Sequence, residues 1–222
     1  MATPEARGEL ALEGGTVGTI RIAPSDPLAT LVVAHGAGAG MDHPFLAGFC
    51  RAIADEGVAT LRFNFPYVER GRRSPDPEAK LREAWQTAFE TASAEGGVVM
   101  VGGKSLGGRI ASMCVADGMP AAGLVFLGYP LHPPGKPERI RDEHLYRIRV
   151  PMLFLQGTRD PFARPELLAG VLDRLGRLAE LHPVEAGDHS FNVRGAKRDA
   201  RDVGAGLAGL AAPFVRRVAG AR

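Results

Sequence analysis

The chain has 222 residues, enough for one well-packed α/β domain (residues 1–222) and too few for two large ones. Hydrophobic residues make up 45% and charged residues 23%, and the formal net charge of +2 gives no electrostatic case for a nucleic-acid partner. No apolar run reaches bilayer length and the first ten residues, MATPEARGEL, hold no signal-peptide core, so a cytoplasmic protein with no membrane contact is expected.

In chain order, GELALEG and GTVGTIRIA, split by Gly14-Gly15, predict an N-terminal hairpin. ATLVVAHG predicts a buried strand running into a glycine-rich loop. HPFLAGFCRAIADEG predicts a helix, with Phe45, Phe49, Ala52 and Ile53 at helical spacing and Gly57 as its stop. VATLRFNFPYV reads as a strand. DPEAKLREAWQTAFETASAEGG reads as the longest helix, with Pro77 in its first turn. VVMVGGKS is a strand into a turn, and GGRIASMCVADG a helix. AAGLVFLGYP and VPMLFLQGTRD are two more apolar strands. RPELLAGVLDRLG is a helix, RLAELHPVEAG a last strand, and RDVGAGLAGLAAPFVRRVAG a closing helix. The inner strands are continuously apolar, as strands covered on both faces are. This alternation predicts an α/β fold with a mostly parallel sheet flanked by helices. Functional loops then lie beyond the carboxyl ends of the strands.

One such loop, Gly102-Gly103-Lys104-Ser105, has two readings. A P-loop needs a glycine at position 98, which is Val98, and here the strand lies between Gly97 and Gly102. The loop HGAGAGMDH fails the dinucleotide fingerprint too, because the third glycine would fall on Met41 or His43. Gly103-Lys104-Ser105-Leu106-Gly107 does fit Gly-x-Ser-x-Gly, a sharp strand-to-helix turn that displays a serine.

A serine hydroxyl needs a base, and the base an orienting acid. Chain order in such folds is Ser, then acid, then His. His35 and His43 precede Ser105, His132 and His144 come too early, and His182 falls inside the last strand. His189, in AGDHSF just beyond that strand, is the candidate base. Asp160, beyond LQGTRD, is the candidate acid; Asp188 is adjacent to His189 and points elsewhere. An oxyanion needs two N–H donors. Leu106 follows the serine, and Ala37, or as second choice Gly38, follows the ATLVVAHG strand. His35 is expected to brace that loop.

VVAHGAG, GGKSLGGR, GYP, LQGTRDPF and GDHSF, in this order, resemble the α/β-hydrolase superfamily over nearly the whole chain. Lys104 and the HGAGAGMDHPF loop are similar to the small lidless dienelactone-hydrolase-like group, with its bacterial members and testis-expressed eukaryotic relatives. The resemblance implies an eight-stranded sheet whose second strand is antiparallel, and a Ser-His-Asp triad. Dienelactone hydrolase typically has a cysteine nucleophile, and this chain has Ser105.

Leu131 to Arg149, after the sixth strand, is too short for a lid domain, so an open site for small acyl groups is expected. The expected partner is a small-molecule ester or thioester. Lys104, Arg109, Arg159 and the loop RGRRSPDP are basic near the site. Lys104 and Arg159 are candidate contacts for an anionic substrate, and Tyr129 of GYP a candidate pocket wall. Cys50 and Cys114 have no metal or redox spacing and read as buried free thiols. No His-Glu-x-x-His is present, and no metal or other cofactor is expected. Catalysis by esterase or thioesterase chemistry is the leading expectation. A non-catalytic interaction module and a serine peptidase are the alternatives.

Overall fold

The computed structural model describes residues 3–196 and 198–221. Gly14 and Gly15, with φ of 89° and 146°, turn the chain between β1 (Glu5–Leu12) and β2 (Gly15–Ile22), which pair antiparallel. Then follow β3 (Thr30–Ala34), α1 (Pro44–Asp55), β4 (Ala59–Phe63), the short α2 (Pro66–Glu69), α3 (Glu78–Ser93), β5 (Val99–Lys104) and α4 (Leu106–Ala116). The chain ends with β6 (Leu124–Leu127), β7 (Met152–Gly157), α5 (Pro165–Leu175), β8 (Ala179–Val184) and α6 (Ala200–Gly220). Between β6 and β7 there is one 3-10 turn, Glu143–Arg147, and no lid domain.

The eight strands form one sheet in the order β1-β2-β4-β3-β5-β6-β7-β8. β2 is antiparallel to both neighbours, and every pair from β4 to β8 is parallel. The central strands β3, β4, β6 and β7 are buried along their whole length, and their sequences are mostly apolar, with Thr60 and Arg62 in β4 and Gln156 in β7 as buried polar exceptions. Alternate residues serve opposite faces. Val32 and Ala34 pack with Leu81, Trp85 and Ile110 under α3 and α4. Leu31 and Val33 pack with Phe49, Ile53, Leu207 and Phe214 under α1 and α6. Among the described residues no helix is long and apolar enough to cross a membrane.

Two expectations need correction. The strand VATLRFNFPYV stops at Phe63. Pro66 cannot donate a ladder hydrogen bond, and it starts the helical turn α2 instead. The longest helix is α6, with 21 residues, and not α3, with 16. Its composition hides this, because small residues stand where it crosses α1. A Cβ on Gly204 would lie 1.9 Å from the Phe45 carbonyl oxygen, and one on Gly48 would lie 2.0 Å from that of Arg201. This close crossing brings the N-termini of α1 and α6 together at the carboxyl end of the sheet. Pro213 is tolerated within α6 on its exposed side.

Candidate active site

Ser105 sits between β5 and α4 with φ 50° and ψ −112°, a conformation that a non-glycine residue holds only under strain. The flanking glycines are required by contact. A Cβ at Gly103 would lie 2.4 Å from the Ala34 carbonyl oxygen, and one at Gly107 would lie 2.3 Å from the same atom. The turn therefore presses against the end of β3 on both sides of the serine. Buried Trp85 braces it from α3, donating its indole N–H to the Gly107 carbonyl at 3.1 Å.

His189 follows β8 in a loop held by Asp188, whose Oδ1 accepts the Ser190 and Asn192 amides at 2.8 and 2.9 Å. The Asp188 carboxylate is thus committed to its own loop. Ala186 and Phe191, on either side of His189, have φ of 55° and 63°. The imidazole stacks on Phe162, with ring centroids 4.1 Å apart. His189 Nε2 lies 2.8 Å from Ser105 Oγ, and Nδ1 lies 2.7 Å from Asp160 Oδ2. A carboxylate oxygen only accepts, so Nδ1 carries the proton and Nε2 offers its lone pair to the serine hydroxyl.

The Asp160 side chain is fully buried and all its interactions are made within the protein. Its Oδ1 accepts the Phe162 amide at 2.8 Å, and its Oδ2 also accepts the Gln156 side-chain amide at 2.6 Å. Gln156 is a site residue that the sequence reading missed. Its signal was present: one polar residue, buried, near the end of the apolar strand β7.

Leu106 is the first residue of α4, where backbone N–H groups have no helical partner and the helix dipole is positive. Ala37 and Gly38 line the same cleft as Ser105. His35 holds this loop from below. The Phe65 amide donates to its Nε2 at 3.1 Å, so the proton is on Nδ1, which donates to the Gly36 carbonyl at 2.8 Å. Burial pushes the His35 pKa down to about 4, keeping it neutral.

The cleft has a volume of about 510 Å³ and runs from Ser105 and His189 to the N-termini of α1 and α6. His43, Phe45, Lys104, Phe162, Ser190, Asn192 and Ala200 also line it. Of these only Lys104 was singled out from the sequence, because the others reach the cleft through the helix crossing and the His189 loop. Burial lowers the Lys104 pKa to about 8, opposed by the carboxylates of Asp160 and Asp188.

Tyr129 and Arg159 are not brought to the cleft wall. Gly128, with φ 75°, turns the chain so that Tyr129 enters the core, where its hydroxyl donates to the Arg141 carbonyl at 2.9 Å. Arg159 is exposed and lines a neighbouring groove with Asp188 and Arg194. Arg109 is also off the cleft wall, with its Nε buried and unpartnered. In the basic loop after α2, Arg70 and Arg72 share one buried carboxylate, that of Asp76. Cys50 and Cys114 are buried, and burial raises their pKa values to about 11 and about 12.

A strained serine on a strand-to-helix turn, at the carboxyl end of a largely parallel sheet with no lid, belongs to the α/β-hydrolase class of folds. Residues 27–211 match the family model described as an alpha/beta hydrolase domain, and the chain belongs to that family. Solved structures agree on the fold. A lidless α/β serine hydrolase from Xanthomonas campestris is 20% identical, with 98% of this chain and 95% of that one covered and a TM-score of 0.73. A dienelactone hydrolase from Anabaena variabilis is 17% identical over 98% and 99%, with a TM-score of 0.77. An esterase domain from Rhodothermus marinus is 18% identical over 96% and 99%, with a TM-score of 0.70.

Proposed function

We propose that this protein is a serine hydrolase of the carboxylesterase or thioesterase type, acting on a small carboxylic ester or thioester through an acyl-enzyme. One observation carries the reading: the unbroken hydrogen-bond chain from Ser105 Oγ through His189 to buried Asp160, at 2.8 and 2.7 Å. In the first step Ser105 Oγ attacks the substrate carbonyl and its proton passes to His189 Nε2. Asp160 holds the Nδ1–H and stabilises the imidazolium that forms. The Leu106 and Ala37 amides receive the oxyanion. Collapse of the tetrahedral intermediate breaks the bond to the alcohol or thiol, which takes the proton from His189. A water molecule, activated by the same imidazole, then releases the acid.

The cleft walls are mostly small or apolar and suit a small-molecule substrate. The chain works as one cytoplasmic domain. His189 supplies the base, so the mechanism uses no metal, and chelators leave the rate unchanged. A fluorophosphonate probe tests the reading. The folded wild type should be labelled and Ser105→Ala should not. An unlabelled wild type would mean a non-catalytic interaction module. A panel of esters, thioesters and amides then assigns the leaving group, and preference for amides would mean a peptidase.

A further inference from the structure

Lys104 is the one lysine or arginine among the described residues lining the cleft, and no carboxylate lines it. Its aliphatic stem runs beside Gly36: a Cβ on that glycine would lie 3.4 Å from Lys104 Cγ and 3.6 Å from Ser105 Cβ. Lysine and serine therefore flank the same bare backbone. The ammonium sits in a niche that exists because residue 128 is glycine. A Cβ there would lie 3.2 Å from Lys104 Nζ, 3.4 Å from the His189 carbonyl oxygen and 3.5 Å from the Phe191 ring. Nζ lies 5.7 Å from the centroid of that ring.

Among the described residues Lys104 forms no ion pair. The nearby carboxylates are taken: Asp160 by His189, Gln156 and the Phe162 amide, Asp188 by its own loop. A half-buried ammonium has lost hydration and, although the Asp160 and Asp188 carboxylates act on it from nearby, it has no counter-charge in contact. An arriving anion would supply that charge where water is partly excluded and attraction is stronger.

We propose that Lys104 selects substrates whose short acyl chain ends in a carboxylate, that is, half-esters or half-thioesters of small dicarboxylic acids. The inference rests on Ser105 acting as nucleophile. It deepens that reading by naming the substrate class. The acyl side is favoured over the leaving group by the adjacency of Lys104 and Ser105. Once the acyl group is bonded to Ser105, a carboxylate a few carbons away stays within reach of a side chain of four methylenes. The contact then holds in both acylation and deacylation, so it raises the rate as well as the affinity.

The test uses the full chain and compares kcat/KM for the mono-4-nitrophenyl ester of glutaric acid with that for 4-nitrophenyl hexanoate, a neutral ester of similar length. The ratio should drop about tenfold or more in Lys104→Met, as expected for losing a charge-assisted contact, and should be largely kept in Lys104→Arg. An unchanged ratio in Lys104→Met, with both esters slowed alike, would make Lys104 a brace for the His189 loop and overturn the proposal. So would a Lys104-dependent preference seen only for 4-acetoxybenzoate, whose carboxylate leaves with the phenol. A second measurement covers a variant that fails to fold: free glutarate should slow fluorophosphonate labelling of the wild type at concentrations where glutaramide does not. Equal effects of the two would overturn the proposal. An unlabelled wild type would instead sink the hydrolase reading, so the two failures are distinct.

Discussion

Gln156 donates its side-chain amide to Asp160 Oδ2 at 2.6 Å, on the same oxygen that accepts His189 Nδ1–H at 2.7 Å. Its Oε1 accepts the Tyr129 amide at 2.8 Å, so one buried side chain ties the acid to the loop after β6. Gln156→Leu keeps the size but strands the Tyr129 N–H and frees Asp160 to rotate. The expected cost is about 2 kcal/mol of stability for the orphaned donor. The expected kcat loss is about tenfold with little change in KM, since the imidazole is held less well as it gains charge. Urea melts and steady-state kinetics on one ester check this; a wild-type kcat would remove Gln156 from the site.

Gly107→Ala should disable the protein differently. The new methyl would meet the Ala34 carbonyl at 2.3 Å, a backbone atom that cannot move without shifting β3. Overpacking of this kind costs about 3 kcal/mol, or a fall of roughly 6–12 °C in Tm for a chain of this size. Labelling of Ser105 should be lost with it, because the Ser105 turn and the Ala37 loop share that contact. Thermal melts and probe labelling on the same sample decide it. A variant that melts like the wild type would show that the turn has slack that its geometry denies.

Acid should weaken the fold through two histidines outside the proposed chemistry. Burial holds His35 and His144 at about 4, against 6.5 for a free imidazole. Between those values the unfolded chain binds protons that the native one refuses, so stability falls as pH falls. The contribution is complete above about pH 6.5 and is lost on the way to about 4. At 1.36 kcal/mol per pH unit, His35 accounts for about 2 kcal/mol between pH 7 and pH 5, and the less buried His144 for less. Urea midpoints at the two pH values measure the slope. It should flatten in His35→Ala, which is also less stable at pH 7 because the Phe65 amide loses its acceptor.

What could be read from the sequence followed from where residues stand relative to strand ends. Ser105, Asp160 and His189 each follow the carboxyl end of a strand, β5, β7 and β8, so position alone brought them to one edge of the sheet. Which way a loop side chain points is set by backbone turns that position does not encode. Gly128 at φ 75° sent Tyr129 into the core, and the turn after Gly157 sent Arg159 away from the cleft although its neighbour Asp160 reaches His189. The far wall was hidden for another reason. Phe45 and Ala200 meet through a helix crossing between segments far apart in the chain, and the glycines that permit it read locally as weak helix formers.

The pH dependence of substrate choice gives the last prediction. Burial places the Lys104 pKa at about 8, so the ammonium is charged below that value and neutral above it. The carboxylates of Asp160 and Asp188 act on it, and the His189 imidazole lines the same cleft. All three act on the anionic and the neutral ester alike, so they drop out when the two kcat/KM values are divided. What remains reports the charge of Lys104 in the free enzyme. From about pH 7 to about pH 9.5 the wild-type ratio should fall through a midpoint near 8. Lys104→Met should give a low, flat ratio. Lys104→Arg should stay high across the range, because a guanidinium does not titrate there. A wild-type ratio that stays level to the alkaline end would show that the ammonium does not discriminate between the two esters.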